Sequence, residues 1–132
     1  MIVADSNLIA YLLIPGDKTS YSEAVLKQDA EWAAPLLWRS EFRNVLTLYM
    51  RHQGMTLAQA LQTMDKAEAL LRRNEFVVPS DSIFELTSQH PISAYDAEFV
   101  ALATQLGVSL VTFDRTLVTM FPRTAVHPDR LR

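Results

Sequence analysis

The sequence predicts an α/β fold in which a parallel sheet is covered on both faces by helices. Two observations lead there. Short apolar runs alternate with helical segments along the whole chain, the pattern of strands joined by helical crossovers. The runs and helices are separated by recognisable stop signals, including Pro15-Gly16, Gly54, His90-Pro91, Gly107 and Pro122. The chain has 132 residues, 49% of them hydrophobic and 20% charged, enough for one core. No repeat, low-complexity tract or linker interrupts it, so one domain over 1–132 is expected.

The elements follow in order. Residues 1–4 are an apolar run that reads as a buried strand. Ser6 or Asn7 is expected to cap a helix over 8–13. A helix over 19–29 and a weak strand over 31–34 come next. Pro35 is expected to open a long helix that ends before Gly54. Thr56 and Gln59 have the spacing of a capping box and start a helix reaching about residue 72. A strand over 75–78 and helices over 81–89 and 93–106 follow, the last with Gly107 beyond its end. A strand over 108–113, a short helix over 116–120 and a last strand over 124–126 complete the pattern.

Composition narrows the function. The net charge of −3 argues against a basic nucleic-acid-binding module. It does not argue against a nuclease, because bound dications would supply positive charge where it is needed. The absence of cysteine excludes disulfides and thiolate zinc sites, and points to a cytoplasmic protein. The start of the chain lacks the features of a signal peptide. No run approaches the ~20 apolar residues of a membrane span, so no membrane partner is expected.

In open parallel sheets, ligands bind beyond the carboxyl ends of the strands, where the strand order reverses. Asp5 ends the first strand and Asp114 ends the strand over 108–113. Singly, each reads equally well as a turn or cap residue. Glu41 lies within the apolar stripe Trp38, Phe42, Val45, Leu48 and Tyr49, a costly place for an uncompensated charge. Arg39 and Arg43 project elsewhere on that helix, so a bound cation is the better partner. Asp96 begins the inward stripe Phe99, Val100 and Ala103, although capping by Ser93 also accounts for it. Glu98 reads as solvated or peripheral. Four carboxylates converging on one point would repel unless cations bound there, and oxygen-only ligands select magnesium or manganese.

The segments Ile2-Val3-Ala4-Asp5-Ser6-Asn7, Ser40-Glu41-Phe42, Tyr95-Asp96-Ala97 and Leu110-Val111-Thr112-Phe113-Asp114 come in the order seen in PIN domains, which the chain resembles throughout its length. The branch it is most similar to is the VapC-type toxins of toxin–antitoxin modules. The resemblance implies an α/β/α sandwich with a central, mainly parallel sheet. It implies a Mg2+- or Mn2+-dependent endoribonuclease whose catalytic and metal-binding acids match Asp5, Glu41, Asp96 and Asp114. An RNA substrate, a cognate antitoxin and a homodimer are the implied partners. Asn7 and Thr112 match positions that are often polar near such a site, and Ser6 stands where threonine is more usual.

Other functions compete. A catalytically inactive partner-binding PIN scaffold would not need four acids. A DNA nuclease would use the same metal site. A phosphoacceptor domain would want a lysine late in the chain, whereas Lys18, Lys27 and Lys66 are all early. Among Arg39, Arg43, Arg51, Arg72, Arg73 and Arg115, the last is the leading candidate for a phosphate contact because it follows Asp114. His52, His90 and His127 lack metal-ligand spacing. Trp32 and Trp38 read as structural and Tyr95 as core or rim. On the helix over 56–72, Leu57, Leu61, Met64, Ala67 and Leu71 form a stripe expected to pack on the core, or to meet an antitoxin or second subunit.

Overall fold

A computed structural model describes residues 1–131. Five strands form one sheet: β1 (Ile2–Ala4), β2 (Trp32–Pro35), β3 (Glu75–Phe76), β4 (Leu110–Val111) and β5 (Ala125–Val126). Their order is β3-β2-β1-β4-β5 and every neighbouring pair is parallel. Among the described residues seven α-helices connect them: α1 (Ser6–Leu13), α2 (Thr19–Gln28), α3 (Leu37–His52), α4 (Leu57–Leu70), α5 (Ser80–Gln89), α6 (Ala94–Leu106) and α7 (Arg115–Met120). A 3-10 turn, Pro128–Leu131, follows β5.

The chain steps outward from β1 to β2 and β3, then returns across the sheet to β4 and β5. Right-handed crossovers therefore put the two sets of helices on opposite faces. Helix α1 packs against α2, α3 and α4, while α5 packs on α6, which crosses β1, β2 and β4. The core between these layers contains Val3, Ala4, Trp32, Trp38, Phe42, Phe99, Leu102 and Leu110, all essentially inaccessible to water. Burial of this apolar surface is the main force holding the layers together. Among the described residues, no helix is long and apolar enough to cross a membrane.

Several local expectations change. The cap of α1 is Asp5, whose carboxylate accepts from Ser6 N, rather than Ser6 or Asn7. Pro35 is the last residue of β2, in register with Phe76, and α3 starts two residues later. The strand expected over 108–113 is confined to Leu110 and Val111; Thr112 N still donates to Val126 O, and beyond it Phe113 N is taken by Asn7 Oδ1. The capping box of Thr56 and Gln59 is present in full. On α4, Ala67 and Leu71 are buried, but Leu57 and Leu61 face outward at 68% and 59% exposure and do not pack on the core.

Candidate active site

The strand order reverses beside β1, the first strand laid down: β2 lies on one side and β4 on the other. The crevice above the carboxyl ends of β1 and β4 is the expected ligand position for such a sheet. Asp5 and Thr112 stand at that crevice, one residue beyond each strand.

Asp5 is 8% exposed. Its Oδ1 accepts from Ser6 N at 2.8 Å and its Oδ2 from Thr112 Oγ1 at 2.7 Å. Asn7 Nδ2 approaches the same Oδ2 at 3.5 Å, and Asn7 Oδ1 accepts from Phe113 N at 3.2 Å. Thr112 Oγ1 in turn accepts from Asp114 N at 3.0 Å. Thus Asn7 and Thr112 fasten the end of β1 to the end of β4. Burial pushes the Asp5 carboxyl up to about 6, opposed by the Thr112 and Ser6 hydrogen bonds and assisted by the charges of Glu41 and Asp96.

Glu41 comes from α3. Taking Trp38 as the centre of the buried face, Glu41 lies about 60° around the helix, on the same flank as Leu48. Leu48 is 45% exposed, and Leu46 occupies the inward position expected of it. Glu41 is accordingly half-buried rather than core-facing. Its Oε1 accepts from Ser6 Oγ at 2.7 Å. Burial raises its pKa, the Ser6 hydrogen bond lowers it, and the charge of Asp96 raises it further.

Asp96 sits in the first turn of α6, where Ser93 Oγ accepts from its backbone N at 3.0 Å. Its backbone serves the cap and its carboxylate is left for other partners. Burial and the charge of Asp114 raise its pKa. Asp114 caps α7, Oδ1 accepting from Thr116 N at 2.9 Å and more weakly from Leu117 N. Its Oδ2 makes no hydrogen bond among the described residues. The cap reading of Asp5 and Asp114 therefore holds, and it fixes both carboxylates beside the crevice without consuming them.

Glu98 is partly buried, in keeping with a peripheral place, and its pKa is raised by burial and by the charge of Glu41.

Among the described residues, none of these five carboxylates forms an ion pair. Of the two arginines near Glu41 in sequence, neither pairs with it among the described residues, and Arg39 is spent elsewhere. Arg39 is held by Glu75 at 2.6 Å and Glu68 at 2.7 Å, which also removes it as a phosphate contact. Arg115 pairs with Asp129 at 2.9 Å and remains 70% exposed. His127 is buried and its Nδ1 accepts from Asp129 N. Tyr95 is exposed, on the rim.

Among the described residues, no three Asp, Glu or His side chains are placed to enclose one ion. The donor set nonetheless suits a hard dication. All its charged donors are carboxylates, their charges raise the pKa values of Asp5, Glu41 and Asp96, and among the described residues none of them forms an ion pair. Magnesium typically keeps several waters and takes only one or two carboxylates from the protein, so a closed cage is not required.

Residues 2–125 match the model of the PIN domain family. The chain belongs to the PIN-domain family. Ribonuclease VapC3 of Pyrobaculum aerophilum is 28% identical over 127 residues, covering 92% of this PIN domain and 95% of the relative. The crystal structure of PAE2754 from Pyrobaculum aerophilum superposes with a TM-score of 0.76 at 20% identity, covering 98% of this chain and 85% of that one. VapBC2 from Rickettsia felis, solved bound to a DNA fragment from their promoter, gives a TM-score of 0.71 at 15% identity, covering 96% and 98%. These likenesses establish the PIN fold, with its five-stranded parallel sheet between helices.

Proposed function

We propose that this PIN domain is a divalent-metal-dependent endoribonuclease and the toxin of a toxin–antitoxin pair. The chemistry is supported by the mutual charge effects among four acids: Glu41 and Asp96 raise the pKa of Asp5, Asp96 that of Glu41, and Asp114 that of Asp96, and among the described residues none of the four forms an ion pair. RNA as substrate is supported by the relative named Ribonuclease VapC3. An antitoxin partner is supported by the sequence resemblance to VapC-type toxins and by the likeness to VapBC2. A cytoplasmic homodimer fits the same resemblance.

Asp5 and Asp96 would be the main residues holding Mg2+ or Mn2+ in this reading, with Asp114 assisting. A dication, when bound, would supply charge neutralisation at the phosphate and a water of lowered pKa. The protein's own contribution is positional. Thr112, Ser6 and Asn7 fix Asp5, so the negative centre is formed before substrate arrives. Ser6 orients Glu41, whose raised pKa suits it to accept a proton from the attacking water.

The test is incubation of the purified protein with transfer and ribosomal RNAs in Mn2+ and in EDTA, with cut sites mapped by primer extension. Discrete cleavage in Mn2+ alone is expected. Intact RNA under both conditions would refute the reading.

A further inference from the structure

Beside Asp114 the structure forms a cavity of about 480 Å³ whose lining includes Lys18, Tyr21, Phe113, Asp114, Arg115 and His127. Its aromatic centre is Phe113. Tyr11 meets that ring edge-on at 4.8 Å between centroids, and His127 does so at 5.3 Å. Phe113 directly precedes Asp114, and its backbone N is held by Asn7, the residue that also approaches Asp5. The cavity and the carboxylate crevice are therefore parts of one rigid surface.

Lys18 is placed against local preference. It occupies the N-cap position of α2, makes no capping hydrogen bond, and no acid stands in that helix's first turn. A helix N-terminus favours Ser, Thr, Asp or Asn and disfavours a cation. Broken local rules of this kind concentrate at functional positions. Lys18 Nζ lies over the Tyr11 ring, 4.9 Å from its centroid, and 5.9 Å from that of Phe113. Among the described residues Lys18 forms no ion pair, whereas Arg115 is already partnered by Asp129. It is the uncompensated cation at the mouth of this cavity.

We infer that this cavity is the subsite for the nucleotide adjoining the scissile phosphate, with Lys18 binding that nucleotide's phosphate and the Phe113 cluster facing its base. The inference rests on the ribonuclease reading. A polyanion reaching these carboxylates is repelled except where cations flank its path, and Lys18 and Arg115 line the cavity beside Asp114. Stacking or edge contact with aromatic rings is the usual sequence-tolerant way to hold an unpaired base.

The experiment measures binding of a fluorescent single-stranded RNA by anisotropy in EDTA across a salt series, and steady-state cleavage in Mn2+. Lys18→Met keeps the stem against Tyr11 and removes the charge, and Lys18→Arg restores the charge. Lys66→Gln, on α4 and outside the cavity, is the control. Lys18→Met should weaken binding about three- to tenfold and lower the slope of log affinity against log salt by about 0.7. KM should rise with kcat within about twofold, and Lys18→Arg should recover most of the loss. Wild-type affinity and slope in Lys18→Met, in a preparation whose wild type binds and cuts RNA, would overturn the subsite alone. A wild type that neither binds nor cuts RNA would overturn the ribonuclease reading and the subsite together.

Discussion

The hydroxyl of Thr112 donates to Asp5 Oδ2 at 2.7 Å, joining the ends of two strands 107 residues apart in the chain. Thr112 is fully buried, and the same hydroxyl accepts from Asp114 N. Thr112→Val keeps the shape and removes both bonds. A buried group left without its partner costs about 1–3 kcal/mol. The variant should lose about that much in urea unfolding at pH 7. The deficit should shrink near pH 5, where the Asp5 carboxyl carries less charge to strand.

Asp5 sets a pH dependence in the metal-free protein. Its carboxyl is raised from 3.8 to about 6 by burial, so the native state holds its proton more tightly than the unfolded chain. Stability is then greatest at low pH with respect to this group. It falls as pH rises through about 4 to 6 and levels above, by on the order of 2–3 kcal/mol. Glu41 and Asp96 push the same way. Thermal melts in EDTA should show this decline in wild type and a flatter profile in Asp5→Asn. Adding Mn2+ at pH 7 should recover stability in wild type more than in the variant.

Arg39 is a structural residue. Its guanidinium takes both oxygens of Glu75, which also accepts from Trp38 Nε1, and reaches Glu68. The pairs are only partly exposed, and a bidentate geometry makes them stronger than ordinary surface pairs. Arg39→Met should cost about 1–2 kcal/mol in chemical denaturation and leave RNA cleavage within about twofold. A large loss of cleavage with full stability would restore the phosphate role that the sequence had suggested.

Gly107 ends α6 with φ +68. An added Cβ would meet nothing within 4 Å, so only backbone strain opposes it. Gly107→Ala should destabilise by about 1 kcal/mol, read from the urea midpoint, with no change in cleavage.

Much of this molecule is visible in its sequence because its stop signals are local. The Thr56–Gln59 box, the Ser93 cap and Gly107 act through neighbouring backbone groups, and they appear where the sequence places them. Strand ends are set by partners far along the chain. That is why β4 stops short of the end of its apolar run: Thr112 N still bonds Val126 O, but Asn7 takes Phe113 N. The four acids were legible through strand ends and helix stripes, but their surroundings were not. Glu41 is a flank residue steadied by Ser6, and Asp5 does double duty as cap and buried carboxylate. Glu98 stands two residues from Asp96 and so on another side of α6, yet it is near enough to Glu41 for that charge to raise its pKa, a proximity across elements that the sequence does not display.

The most direct measurement is single-turnover cleavage of a mapped RNA in Mn2+ by wild type and Asp5→Asn, each verified as folded by circular dichroism. If the carboxylates hold the catalytic metal, EDTA abolishes wild-type cleavage, and Asp5→Asn is slower by at least about 100-fold, the upper range for disturbing a metal ligand's support. Cleavage by Asp5→Asn at the wild-type rate would contradict the account.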